Sequence, residues 1–159
     1  MATLSPEDDL RLVSALGRQF YLGRCSSYQP TRYGIIHQNA LRAELAVTPA
    51  SNPVRRARLL RLLGETKEAA RLLAGALRKA DAPAAAHAYH WEMGLGGAAA
   101  LDRAVALEPR RGAWRLWRAL DRLGRGEQEQ ALADAKGAAG LMPGHALPPL
   151  IAGLIEHHR

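Results

Sequence analysis

Two stretches of the chain repeat one pattern: GAAALDRAVALEP at residues 97–109 and ALADAKGAAGLMP at residues 131–143. Each stretch has a small residue, an apolar or small residue four positions later, alanine three positions after that, and proline after five more. Ala104 and Ala138 are 34 residues apart, as are the two prolines. Steps of four and three residues keep side chains on one face of an α-helix, so each stretch predicts a helix that ends at its proline.

A third copy of the pattern stands earlier in the chain, at Ala69, Leu73 and Ala76, although it lacks the proline. The rest of the chain also favours helices, because alanine and leucine dominate whereas Val, Ile and Thr are scarce. Glycines and prolines divide it into about nine short helices, the first at residues 5–22 and the second at 32–46. The 159 residues are enough for one domain or a short stack of repeats. We therefore predict an all-α fold.

The repeated pattern resembles the tetratricopeptide repeat, whose period is 34 residues. The segment LEP at residues 107–109 resembles the end of that repeat, and LGETKEA at residues 63–69 resembles the turn between its two helices. The spacing departs from the family between Ala76 and Ala104, which are 28 residues apart, so the middle repeat has a short first helix.

The third repeat departs from the family in its turn, LGRGEQEQA at residues 123–131, which carries two extra residues. With that allowance, the packing positions of its first helix are Ala113, Leu116, Trp117 and Leu120. Without it they would include Arg115 and Arg118, and burying two unpaired guanidiniums would be costly.

The resemblance implies a right-handed α-α superhelix of stacked antiparallel hairpins with a concave groove. Its repeats fall at about residues 49–82, 83–110 and 111–145. Residues 1–48 then form N-terminal helices that cap the stack or make a degenerate hairpin, and residues 146–159 form a C-terminal capping helix. The alternative is an irregular bundle rich in alanine and leucine, in which the spacing is accidental.

In the family, the first helix of each repeat lines the groove. Carried over to this chain, the groove positions combine guanidiniums with aromatic rings, a combination enriched at binding hot spots. They are Arg58, Arg61, Tyr89, His90, Arg111, Trp114, Arg118 and Arg122. This set predicts a groove for an acidic or carboxylate-bearing peptide. Two alternatives stay open: the arginines form a solvated helix face, and Trp114 and Trp117 belong to the core.

The formal net charge is +7, most of it from arginine. A basic surface attracts acidic proteins, nucleic acid or anionic lipid, although a coding bias towards GC-rich codons also raises arginine content. The single cysteine, Cys25, excludes an internal disulfide and fits a reducing compartment. Neither a signal peptide nor an apolar run long enough to insert into a membrane is found, so we expect a cytoplasmic protein.

No catalytic motif stands out, and we expect neither enzyme activity nor a cofactor. His87, His90 and Glu92 lack the further ligand that a metal site needs, so no metal is expected. We predict a protein-interaction module that acts as an adaptor, assembly factor or chaperone. The alternatives are a basic helical repeat that binds nucleic acid, and a structural repeat that self-assembles, for example as a homodimer.

Overall fold

The computed structural model describes the backbone of residues 32–157 and the side chains of residues 38–157. This part of the chain consists of eight α-helices and contains no strand, which confirms the all-α prediction. The helices are α1 Arg32–Val47, α2 Pro53–Leu62, α3 Thr66–Leu77, α4 Ala84–Glu92, α5 Gly97–Leu107, α6 Gly112–Gly124, α7 Gln128–Leu141 and α8 Leu147–His157. The first of the nine predicted helices, at residues 5–22, lies outside the described residues.

Helices that are neighbours in sequence pack against each other within two compact units. In the first unit, which covers described residues 32–107, α2 and α3 form one hairpin and α4 and α5 form the next. The first hairpin contacts α1 through α2, and α4 contacts both α2 and α3. In the second unit, described from residue 108 to residue 157, α6 and α7 form a hairpin and α8 packs on α7.

The same turn closes all three hairpins, and each has a glycine in the left-handed region. These glycines are Gly64 at φ +89°, Gly94 at φ +74° and Gly126 at φ +79°. In each turn the next residue donates its backbone N–H to the carbonyl oxygen five positions earlier, over 2.9–3.0 Å. This bond defines a Schellman helix end, for which glycine is the favoured residue. The α6 helix runs to Gly124, so the two residues that the sequence analysis counted as extra in its turn belong to the helix, and the turn itself is the same as in the other hairpins.

The repeated small and apolar positions form the core of the hairpins. The buried members are Ala69, Leu73, Ala76, Leu101, Ala104, Ala131, Ala135 and Ala138. Gly97 is the exception, since it is exposed at the start of α5. The predicted packing face of α6 is confirmed, with Ala113, Leu116 and Trp117 buried and Leu120 partly buried. Alanine at the contact positions lets the paired helices approach closely, which fixes each hairpin.

The last described helix has apolar side chains on two faces. Ala152 and Ile155 pack into the core of the second unit with Ala131, Leu132 and Ala135 of α7. On the outer side, Leu150 is 57% exposed and Leu154 is 39% exposed. None of the described helices combines the length and the apolar character needed to cross a bilayer.

Candidate functional site

Arg58, the first predicted groove residue, is buried between two helices of the first unit. Only 1% of it is exposed, and it forms an ion pair with Glu92 of α4. Its guanidinium also lies over the ring of Tyr89, 5.1 Å from the centroid, and Tyr89 is itself buried. A guanidinium is tolerated in the interior when a carboxylate pairs with it. Arg58 and Tyr89 therefore join α2 to α4.

The aromatic residues of α6 are also in the interior. Trp114 is 1% exposed, and its ring meets the edge of Trp117 at a centroid distance of 5.4 Å. The indole Nε1 of Trp114 donates a 2.7 Å hydrogen bond to Glu108. Arg111 donates to the same carboxylate and stacks 5.0 Å from the Trp114 ring. Both tryptophans therefore belong to the core, as the alternative interpretation of the sequence had it.

Arg118 and Arg122 point to a shared carboxylate on the facing helix. Arg118 donates to both oxygens of Asp134 at 2.7 Å, and Arg122 donates to one of them at 2.9 Å. Asp134 is buried on the packing face of α7. One feature of the sequence points to this partner: Asp134 is the one acidic residue among the small residues that follow Ala131 in α7. Charge-assisted bidentate bonds of this kind are strong and hold the side chains in place.

Arg61 and His90 are the predicted groove residues for which no carboxylate is found among the described side chains. Both are partly buried. The Nε of Arg61 is inaccessible to solvent, and none of the described residues accepts a hydrogen bond from it. The imidazole of His90 packs over Gly96, where a β-carbon would overlap its Nδ1. Arg61 therefore carries an unsatisfied buried donor, which costs stability.

Neutralisation of the basic residues differs between the two units. In the described part of the second unit, carboxylates pair with Arg111, Arg118, Arg122, Arg125 and Lys136. In the described part of the first unit, carboxylates pair with Arg55, Arg58 and Arg71. No described carboxylate pairs with the remaining arginine and lysine side chains of the first unit, which are Arg42, Arg56, Arg61, Lys67, Arg78, Lys79 and Arg103. Of these, Arg56 donates to the backbone carbonyls of Leu45 and Thr48. Most of the unneutralised positive charge described here therefore belongs to the first unit.

Part of this charge lies on the hairpin of α4 and α5. Burial lowers the pKa of His87 below its ordinary value, and the positive charges of Arg103 and then His90 lower it further. The three basic side chains therefore lie close enough to repel one another.

No protein-family model, curated protein or solved structure matches this chain. Its function is therefore inferred from its own residues. Over the part of the chain that the structure describes, no three His, Cys, Asp or Glu side chains are grouped as metal ligands. Arginine and lysine side chains without carboxylate partners thus form the most distinctive chemical feature of the described surface.

Proposed function

We propose that the chain is a non-catalytic protein-interaction module of the tetratricopeptide type, which binds an acidic or carboxylate-bearing segment through its first unit. In this role it would act as an adaptor, assembly factor or chaperone. The proposal includes a cytoplasmic location, which rests on the single cysteine, Cys25, because it fits a reducing compartment. It restricts the expected contact surface, which the sequence analysis distributed over both units, to the first unit.

The observation that carries the proposal is the unneutralised charge of the first unit. Its guanidiniums and ammoniums have few internal competitors, because Glu44, Glu68 and Glu92 already pair with Arg55, Arg71 and Arg58. In the second unit, by contrast, Asp134 already engages Arg118 and Arg122 of α6, so an incoming acid would have to displace it.

An acidic protein segment suits this surface better than nucleic acid does. Sequence-tolerant binding of single strands depends on exposed aromatic rings that stack with bases, yet of the described aromatic side chains of the first unit Tyr89 is buried and Trp91 is partly buried. A phosphate track also requires a continuous line of cations, whereas exposed Glu65 and Asp81 interrupt it at the two ends of α3.

The experiment measures binding of a blocked, fluorescein-labelled glutamate-rich peptide by fluorescence anisotropy and maps it by amide chemical shifts. We expect the shift changes to fall within residues 38–107, and the affinity to weaken as salt rises. A lysine-rich peptide of equal length is the control for the ligand, and Arg125→Gln in the second unit is the control for the protein. Equal binding of the lysine-rich peptide, or shift changes centred on residues 108–157, would show that the proposal is wrong.

Self-association is a second candidate function, favoured by the outer face of α8. Leu150 and Leu154 are one helical turn apart and both are exposed, so a second copy could cover them. Sedimentation equilibrium over a hundredfold range of protein concentration tests this candidate. A dimer that Leu150→Glu abolishes supports it, and a monomer over the whole range removes it.

A further inference from the structure

The outward side of α3 carries a regular row of basic side chains. Lys67, Arg71 and Arg78 are all exposed. Lys67 and Arg71 lie within α3, and Arg78 caps its C-terminal end with helical backbone angles, so the three occupy positions i, i+4 and i+11 of the helical register. With a rise of about 1.5 Å per residue, the three positions are separated by about 6 Å and about 10 Å along the helix axis. The opposite side of α3 buries Ala69, Leu73 and Ala76 in the hairpin. We call the row of Lys67, Arg71 and Arg78 the α3 basic face.

Small side chains fill the space between the second and third cations. Ala74 is exposed at position i+7 of the same row, and Gly75 lies beside it. A β-carbon at Gly75 would meet only the terminal nitrogen Nη2 of Arg78, at 3.8 Å. A partner helix that packs on this face can therefore approach closely between Arg71 and Arg78, with a positive charge at each end of the contact. Small residues at a contact bring two helix axes to the short end of the usual 8–10 Å range.

We propose that the α3 basic face is the docking surface for an acidic α-helix of a partner protein. This inference rests on the proposed function and specifies both its location and the conformation of its ligand. A partner helix with carboxylates at positions i, i+4 and i+11 matches the three cations in register, because both helices share the same rise. An extended peptide advances about 3.3 Å per residue and does not reproduce this spacing with the same residues.

Glu68 holds the middle cation of the face in the free protein. Its two carboxylate oxygens accept hydrogen bonds from Arg71 at 3.0 and 2.6 Å, and the bond to Arg71 is the main cause that lowers the pKa of Glu68. Both side chains remain open to solvent, with Arg71 74% exposed. Exposed ion pairs contribute little to stability, so a partner carboxylate can replace Glu68 at small cost. Glu68 thus acts as an internal competitor that weakens docking.

The test uses two blocked alanine-based helical peptides of identical composition. One carries glutamate at positions i, i+4 and i+11, and the other carries the same glutamates at i, i+5 and i+10, which distributes them around the helix. Binding to the full chain is measured by fluorescence anisotropy, and circular dichroism verifies that each protein variant is folded. The protein variants are Lys67→Gln with Arg78→Gln, Glu68→Gln alone, and the control Arg42→Gln with Arg103→Gln, which loses the same charge from other helices.

We expect the aligned peptide to bind more tightly than the distributed one. The double α3 variant should lose about tenfold in affinity, the control double variant less than about twofold, and Glu68→Gln should gain about threefold, in keeping with the strength of exposed ion pairs.

Equal losses in the two double variants, or equal binding of the two peptides, would overturn the inference and leave the proposed function intact. If Arg61→Gln alone abolishes binding, docking occurs on α2 and the inference is wrong. If neither peptide binds the wild type, the proposed function fails as well. If a DNA duplex of equal length binds more tightly than the aligned peptide, the ligand of this face is nucleic acid and the inference is wrong.

Discussion

The guanidinium of Arg58 on α2 pairs with the carboxylate of Glu92 on α4, 34 residues further along the chain. The Arg58 and Glu92 side chains are only 1% and 5% exposed, so the pair lies in the interior of the first unit. It links the first helices of two successive hairpins. Glu92 thereby neutralises Arg58, which the sequence analysis predicted to bind a ligand. Because the pair is buried, each charge depends on the other for neutralisation.

Removal of one partner should destabilise the protein strongly. We expect Glu92→Ala to lower the free energy of unfolding by about 3–5 kcal/mol, because it leaves Arg58 buried without its counter-ion. The double variant Arg58→Met with Glu92→Leu removes both charges and should lose much less. Urea denaturation followed by circular dichroism measures both. A loss below about 1 kcal/mol in Glu92→Ala would show that water or another group compensates Arg58.

The shared carboxylate of the α6–α7 hairpin gives a second prediction. Asp134→Asn should lower the free energy of unfolding by about 2 kcal/mol, since two arginines lose their charged acceptor although both remain partly solvated. Glu156→Gln breaks the exposed pair with Lys136 and serves as the control, with an expected change below about 1 kcal/mol. Denaturation midpoints of the two variants decide the matter. Equal effects would mean that burial adds nothing to the Asp134 interactions.

Stability should decrease in mildly acidic solution because of His87. Burial and the charge of Arg103 lower the pKa of this imidazole in the folded state, whereas the unfolded chain has the ordinary value of about 6.5. Below about pH 6.5 the unfolded state binds the proton first, so the free energy of unfolding falls as the pH drops towards the lower, folded-state pKa.

His87→Gln should remove this part of the pH dependence. Arg103→Gln should shift the His87 pKa towards its ordinary value, whereas Arg42→Gln, which loses the same charge from another helix, should leave it in place. NMR titration of the imidazole and unfolding at pH 5.5 and 7.5 measure both effects. An unchanged His87 pKa in Arg103→Gln would contradict the electrostatic cause.

Two glycines at the end of the α6–α7 hairpin should respond oppositely to alanine. Gly126 has φ +79°, so Gly126→Ala should cost about 1–2 kcal/mol despite the open space around it. Gly124 ends α6 without a left-handed backbone and is equally open, so Gly124→Ala should be neutral or stabilise by up to about 1 kcal/mol. Thermal unfolding of the two variants provides the measurement. Destabilisation of both to the same extent would indicate that the turn does not depend on backbone strain.

The positions of the described helices and hairpin turns could be read from the sequence. Ala104 and Ala138 mark equivalent helix faces because helical spacing depends on local geometry alone, and both are buried. Gly64 marks a turn because a left-handed helix end favours glycine whatever surrounds it. The buried face of α6 was also predictable, since interchanging Trp117 with Arg118 on that face would bury an unpaired charge.

The candidate site could not be read in the same way. A groove position specifies the direction in which a side chain leaves its helix, but not the side chain it meets. Arg118 meets Asp134, which is 16 residues away, and Trp114 meets Glu108. Both contacts depend on how one segment lies against another, so spacing within a helix contains no information about them.

The sequence by itself therefore determined the helices, the glycine turns and the small-residue faces, because each depends on interactions within a few residues of the chain. Only the tertiary structure decided which arginines are neutralised inside and which remain available at the surface. Charge pairing acts between residues distant in sequence, and burial makes it mandatory for Arg58 while exposure leaves it optional for Arg71.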